Sequence, residues 1–466
     1  MQQGTPQWRS AATARHNGQG GNAIWLGQGG TRVAFSRHSY QTSRQLTPGF
    51  WLGHIIVTTT RAGPRPLLAG EATRTVRGGA RAAWRHQLRP GPHINEPPSL
   101  SCAAGQPGNV TLSQEGAKKL TQHIQRGPGT AGRLNLITDV AGLRVGQAQH
   151  PTIRTGVTVI LPDQRATCAV DVRGGGPGTR ETDALNAWNL VDSVDAVVLS
   201  GGSVYGLAAA DGVTTWLGAH GRGFVAVATQ GVPRSPIVPA AVLFDLANGG
   251  DKNWGMDPPY RRLAIEAIEQ AAGTFALGTA GAGYGAGAGA LKGGIGSASL
   301  ITEDGMTVGA IVAVNSFGSP VVPGGKHFWA APFELESEFG GLGAAPTIVA
   351  GEDWGRSKVN PGARTNTTIA CIATDVALDR AEMKRVAIMA QDGLARAIRP
   401  IHTLFDGDVV FALSTGRLQP PPGVERPFLV TRIGAAAADV LSRAVARGVF
   451  EATLPPGVDG MTWRSL

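Results

Sequence analysis

The stretch GARTNTTIACIATD, residues 362–375, carries the segment on which the reading of the fold turns. From Ile369 to Thr374 the residues are apolar or β-branched, the composition of a buried strand. The three residues before it, Asn366, Thr367 and Thr368, stand at the mouth of that strand. One reading is an edge turn followed by two good strand formers. The other is a break in the chain that gives the strand a new amino terminus.

Working outward, strands and helices mix from about Leu134 to the end. On the amino-terminal side, NLITDVAGLRVG and GVTVILPD read as strands broken by glycine turns, and RATCAVDVRGGG as a strand running into a glycine loop. VDAVVLSGGS is a short apolar run meeting glycines. The next segment has helical spacing at Val204, Leu207, Ala208, Val213 and Leu217. YRRLAIEAIEQAA reads as a helix and MTVGAIVAVNSFG as a strand ending in a polar turn. On the carboxyl side, LDRAEMKRVAIMAQDGLARAI is the strongest helix. Asp379 and Glu382 form a candidate capping box, and Met383, Val386, Ala390, Leu394 and Ile398 lie on one apolar face. DGDVVFALST reads as a strand. A closing helix turns Ile433, Ala437, Leu441, Ala444 and Val445 inward. This mixture predicts a layered α/β or α+β domain.

The composition narrows the class. Of 466 residues 67 are glycine, about twice the usual share of ~7%, and charged residues make up 16% against a typical ~25%. The net charge of +9 is uneven: residues 1–130 hold 15 Lys/Arg and 3 Asp/Glu, which leaves 27 and 30 in residues 131–466. The second part therefore offers no electrostatic footprint for nucleic acid. Residues 1–130 lack lasting periodicity. They read as a disordered basic arm, as upstream sequence translated from a mis-assigned start, or as a folded nucleic-acid module; against the last, Trp8, Trp25, Trp51 and Trp84 are scattered rather than set as a stacking platform. Cys102, Cys168 and Cys371 form neither a disulfide framework nor a zinc site and suit a reducing cytoplasm. The first thirty residues contain no continuous apolar signal core, and no stretch of 18 or more uninterrupted apolar residues predicts a membrane span.

Several motifs lead nowhere. Gly283, Gly285 and Ala288 match G-x-G-x-x-A inside a run so rich in glycine that the match is nearly free. GGSVYG misses the nucleophile-elbow spacing, because Tyr205 stands two residues after Ser203. Asp406 and Asp408 begin no calcium loop, since Arg417 occupies its twelfth position.

The threonine pair has a sharper chemistry. A threonine hydroxyl is a poor nucleophile without a base. Were the bond before Thr367 cut, its own α-amine, with a pKa of about 7.7–8.0, would supply that base from within the same residue. A nucleophile at the start of a buried strand is also rigidly held.

In order along the chain, NLITDVAGLRVG, AVDVRGGGPGTRETDAL, VLSGGSVYGLAAADGV, PIVPAAVLFDL, GAGALKGGIGSAS, VGAIVAVNSFG, NTTIACIATD and IRPIHTLFDGDVVFAL resemble the P1 family of peptidases. This is the aminopeptidase and amidase group that includes D-amino-acid and β-peptide aminopeptidases and the nylon-oligomer hydrolase. The resemblance runs from about Asn135 to about Arg447. It implies an N-terminal-nucleophile hydrolase with an αββα sandwich, made as a precursor that cuts itself between Asn366 and Thr367. The products would be residues 131–366 and 367–466, with residues 1–130 outside the hydrolase domain. It further implies that Asn315 lines the oxyanion hole and that Lys292 lies near the nucleophile, where an ammonium would help keep the α-amine neutral. Asp406 and Asp408 would position and polarise Thr367; alternate residues of an extended segment share a face, so both carboxylates can reach one site. One position departs from the pattern: Phe244 stands where some relatives carry a tyrosine whose hydroxyl assists the oxyanion, and phenylalanine has no donor. The expected substrate is a small peptide or amide, with no cofactor, metal, nucleic acid or membrane, and the expected assembly is a tetramer of cut units. The rivals are an acyltransferase of the related ornithine acetyltransferase type, from whose processing motif NTTIAC differs, and a non-catalytic binding protein on the same fold.

Overall fold

The computed structural model describes residues 129–347, 354–358 and 366–466, and near the start of the chain Trp25–Leu26 paired antiparallel with Arg32–Val33. That pair belongs to one compact unit, Met1–Gln106, and all that follows to another, Pro107–Leu466. Apart from those four residues and 129–130, the expectation for residues 1–130 lies outside the described residues.

Among the described residues, ten strands build the second unit's two large sheets. In chain order they are β1 (Leu143–His150), β2 (Thr155–Pro162), β3 (Thr167–Val172), β4 (Gly178–Arg180), β5 (Val197–Ser200), β6 (Ala240–Val242), β7 (Ile295–Ile301), β8 (Thr307–Asn315), β9 (Thr367–Val376) and β10 (Val409–Leu418). One sheet runs β7-β8-β9-β10-β3 and the other β1-β2-β5-β6-β4. The α-helices that cover them are α1 (Ala208–Ala219), α2 (Tyr260–Glu269), α3 (Arg380–Ala397) and α4 (Arg426–Phe450).

The opening stretch explains the layering. Every residue of β9 is buried, as a strand covered on both faces requires. Its side chains alternate between two cores. Ile369, Cys371 and Ala373 join Phe411 and Leu413 of β10 and Val197 and Leu199 of β5 between the sheets. Ala370 and Ile372 turn the other way, against Val386 and Leu394 of α3 and Ile433 and Leu441 of α4. On the far side, Val157, Val159 and Val198 pack under Val213 and Leu217 of α1 and Leu263 of α2. Helices, sheet, sheet and helices therefore stack as an αββα sandwich.

Local signals hold at α3. Asp379 caps its first turn by accepting from the Glu382 N–H at 2.9 Å, while Glu382 accepts from the Asp379 N–H at 2.9 Å. The five apolar residues predicted for its inner face are all buried. At α4 a close approach dominates: a β-carbon on Gly296 of β7 would sit 1.8 Å from the Ala444 carbonyl oxygen, so only glycine lets that helix down onto the sheet.

Two expectations shift. Ile137–Asp139 forms a 3-10 turn instead of a strand, because the Asp139 carboxylate accepts from the N–H groups of Leu134 and Leu136 and draws the chain round. Val204 is 65% exposed, outside the helical core, because a 3-10 turn over Ser203–Leu207 precedes α1 and enters through left-handed Gly202 and Ser203.

Candidate active site

The start of β9 meets the end of β8. In that antiparallel pair Thr367 is the register partner of Asn315. Asn366 and Thr367 are 3% and 4% exposed, so the peptide between them is enclosed. The Thr367 hydroxyl donates to the Asn366 carbonyl oxygen, which sets the hydroxyl against the peptide unit that precedes it.

β9 runs parallel to β10, which brings the loop entering β10 alongside Thr367. Asp408 Oδ1 accepts from the Thr368 N–H at 2.8 Å, while Oδ2 accepts from the His402 N–H at 3.1 Å and lies 2.9 Å from His402 Nδ1. Asp406 is held apart from it. It accepts from the Phe317 N–H at 3.1 Å, from the Thr403 N–H at 3.1 Å and from the Thr403 hydroxyl at 2.6 Å. Both carboxylates are fully buried. Burial, and then the neighbouring Asp408 charge, push the Asp406 carboxyl above its ordinary value. Between them Gly407 presses on the threonine: a β-carbon there would lie 2.8 Å from Thr367 Oγ1 and 2.7 Å from the Gly176 carbonyl oxygen. The glycine loop after β3 zips onto this turn, with the Gly176 N–H donating to Asp406 O at 2.8 Å and the Gly175 N–H to Thr403 O at 3.1 Å. That is the use of the RGGG run.

Asn315 and Lys292 face a cleft of about 340 Å³ that Phe244, Asp245 and Lys358 also line. Thr367 lines an adjoining cleft of about 610 Å³ with Val204, Leu207 and Val242, and Phe244 borders both. Asn315 donates through Nδ2 to the Phe244 carbonyl oxygen at 3.1 Å, and its Oδ1 accepts from the Gly287 N–H at 2.9 Å. The Lys292 ammonium donates to the carbonyls of Gly283, Ala286 and Gly293 at 3.0, 2.9 and 2.6 Å. Although Lys292 keeps partial exposure, its head group is enclosed, and burial pulls its pKa down to about 7. Lys358 is pulled down to about 7 for the same reason, and its ammonium donates to Asn315 Oδ1 at 3.4 Å. Asp245 is buried, which raises its carboxyl to about 6, and it accepts from the Thr155 hydroxyl at 2.6 Å and the Gly202 N–H at 2.7 Å.

The other four residues singled out from the sequence thus fall into two groups around Thr367. Asp406 and Asp408 lie on the β10 side, with their carboxylates aimed at different backbone groups instead of one shared point. Asn315 and Lys292 lie on the β8 side. Lys358 and His402 were not anticipated. His402 was visible in PIHTLFDGD, six residues before Asp408, but only the turn shows that its ring meets that carboxylate. Among the described residues no His, Cys, Asp and Glu cluster could hold a metal, and no helix is long and apolar enough to cross a membrane.

The family model for Peptidase family S58 matches residues 135–463. An uncharacterized aminopeptidase of Mycobacterium bovis is 47% identical over 342 residues, covering 70% of this chain and 96% of the relative. A 6-aminohexanoate-oligomer endohydrolase of Paenarthrobacter ureafaciens is 30% identical over 331 residues, covering 68% and 86%. Among solved structures, the L-aminopeptidase D-Ala-esterase/amidase of Ochrobactrum anthropi, described as a variant of the Ntn hydrolase fold, superposes with a TM-score of 0.54 at 20% identity, covering 74% and 96%. A Burkholderia β-aminopeptidase gives 0.53 at 22% identity, covering 73% and 94%. The fold is that of the Ntn-hydrolase aminopeptidases, the resemblance read from the motifs holds, and the chain belongs to peptidase family S58, hydrolases of peptide and amide bonds.

Proposed function

We propose that the chain is a self-processing N-terminal-threonine amidohydrolase acting on small peptides or amides. The observation that carries this reading is the Thr367 hydroxyl resting on the Asn366 carbonyl at the rigid start of a central strand. In the first reaction Thr367 Oγ1 adds to the Asn366 carbonyl carbon and the C–N bond breaks. The Thr367 nitrogen takes up a proton and the acyl group passes to oxygen as an ester. Water then hydrolyses the ester, leaving a carboxylate on Asn366 and a free α-amine on Thr367. The hydrolase domain becomes residues 131–366 and 367–466.

In turnover that neutral amine removes the hydroxyl proton as Oγ1 attacks a substrate carbonyl. The amine leaving group departs and water releases the acid from the acyl-enzyme. Asn315, register partner of Thr367, is the candidate amide donor to the oxyanion. Asp408 holds the backbone one residue beyond the nucleophile, and Asp406 anchors the turn through Phe317 and Thr403. Lys292 disfavours a second positive charge on the α-amine. The relatives' names support peptide and amide substrates. A cytoplasmic location and assembly as a tetramer of cut units extend the resemblance.

Intact mass of the purified protein tests the proposal. Two fragments meeting at Asn366/Thr367, and one uncut chain for Thr367→Ala, are expected. A wild type that stays whole at every age and pH would leave the fold without this chemistry. Release of acid in the absence of any acceptor amine separates hydrolysis from acyl transfer.

A further inference from the structure

We propose that Lys358 is a catalytic residue of this site, the second donor to the oxyanion, supplying from the β8 side the contact that Phe244 cannot make. The inference rests on the self-processing reading and names a group that reading lacks.

Lys358 is tied to the site by its backbone as well as its head group. Its N–H donates to the Phe317 carbonyl oxygen at 2.9 Å, two residues past Asn315, and the Phe317 N–H in turn donates to Asp406. Its ammonium reaches Asn315 Oδ1 and feels the Asp406 charge. The side chain therefore stands where the Asn315 and Asp406 arms of the site converge.

The two lysines of the cleft differ in how their donors are used. Lys292 spends its three N–H groups on three carbonyl oxygens. Among the described residues, the hydrogen-bond partner of the Lys358 ammonium is Asn315 Oδ1 alone, at a long 3.4 Å. An ammonium has three donors in tetrahedral array, so Lys358 keeps donors for what enters the cleft it lines.

An enclosed, under-bonded cation gains most when negative charge arrives beside it. A neutral amide brings none until its carbonyl oxygen becomes an oxyanion. Lys358 would thus act in the transition state far more than in the ground state, which is the condition for raising the rate. Phe244 borders the same cleft with a ring that cannot donate, and Asn315 spends one N–H on the Phe244 carbonyl. Lys292 lines the cleft too, but its donors go to carbonyl oxygens, so Lys358 is the lysine with donors to offer.

Self-cleavage is the best readout, because it has no bound substrate and so no affinity to lose. The full chain is made by cell-free translation and the appearance of the 367–466 fragment is followed by mass for wild type, Lys358→Met, Lys358→Arg and Lys358→Met with Phe244→Tyr. The expected results are a loss of about 100-fold for Met, the scale for one oxyanion donor, retention within about tenfold for Arg, and recovery of at least tenfold when tyrosine is added. Methionine cutting within threefold of wild type overturns the inference, and so does arginine as slow as methionine. If the methionine variant loses the wild-type melting temperature, Lys358→Ala, which also lacks a donor, replaces it; alanine at the wild-type rate is equally fatal. A wild type that never cuts defeats the hydrolase reading itself, whereas wild type and methionine cutting alike defeats only the role of Lys358.

Discussion

Gly407→Ala puts the geometry around the threonine to a quantitative test. The added methyl would meet Thr367 Oγ1 at 2.8 Å and the Gly176 carbonyl oxygen at 2.7 Å. Ordinary contact begins near 3.4 Å, so about 0.6 Å must be relieved on one side or the other. The Gly176 side is stiff, because its N–H is bonded to Asp406 O and its loop is zipped to the 403–408 turn. The side chain of Thr367 is the easier group to displace. A misplacement of about 1 Å costs about 100-fold in rate, so 0.6 Å predicts a loss of about tenfold in self-cleavage. Overpacking of this kind also costs about 1–3 kcal/mol of stability, a fall of a few degrees in melting temperature for a domain of this size. Gly273→Ala, at a position with nothing within 4 Å, is the control and is expected to change neither. The assay is fragment appearance by mass alongside a thermal melt. A Gly407→Ala protein that melts lower but cuts at the wild-type rate would refute the claim that this glycine sets the threonine's position.

Two further outcomes follow from charge. Burial pulls the Lys292 pKa down to about 7, and in its charged form it opposes a positive charge on the α-amine. Lys292→Met should therefore move the acid limb of the kcat/KM profile for amide hydrolysis to higher pH, by about half a unit to one unit; an unmoved limb would show that the ammonium does not act on that amine. Glu338, 7% exposed at its side chain, pairs with the buried Arg443 and with Arg447. Glu338→Gln removes the carboxylate that both cations share and should cost about 3–5 kcal/mol, read as a lower denaturant midpoint, while a loss below 1 kcal/mol would mark the pairing as dispensable.

Much of this was legible in the residues because local and global signals agree. A ten-residue strand buried on both faces has no polar alternation to hide it, and the Asp379–Glu382 cap marks the start of α3 without ambiguity. Thr367 stands at the junction of polar turn and core strand, a placement that one dimension shows. Lys358 could not be read so. It sits in WGRSKVNPGA, a segment without periodicity, and its neighbours Phe317 and Asn315 are some forty residues away in sequence. The same holds for Asp406 and Asp408. Their spacing suggested a shared face, but a turn pinned by Thr403, His402 and the glycine loop aims them apart. Val204 fits the helical period, yet left-handed residues at the entrance to α1 turn it outward, a tertiary choice that periodicity does not encode.

The strand order β7-β8-β9-β10-β3 has a last consequence. A break before Thr367 would make β9 and β10 a separate polypeptide wedged between strands of the other one. Eight register pairs join β9 to β8 on one side, and six join β10 to β3 on the other. Neither piece would own the whole of that sheet, so the pieces could part only by dissolving it. Loss of structure would then raise the number of free molecules, and its reversal would be a bimolecular encounter. A protein cut in this way should melt at a temperature that climbs with its own concentration, whereas the uncut chain should be indifferent to dilution.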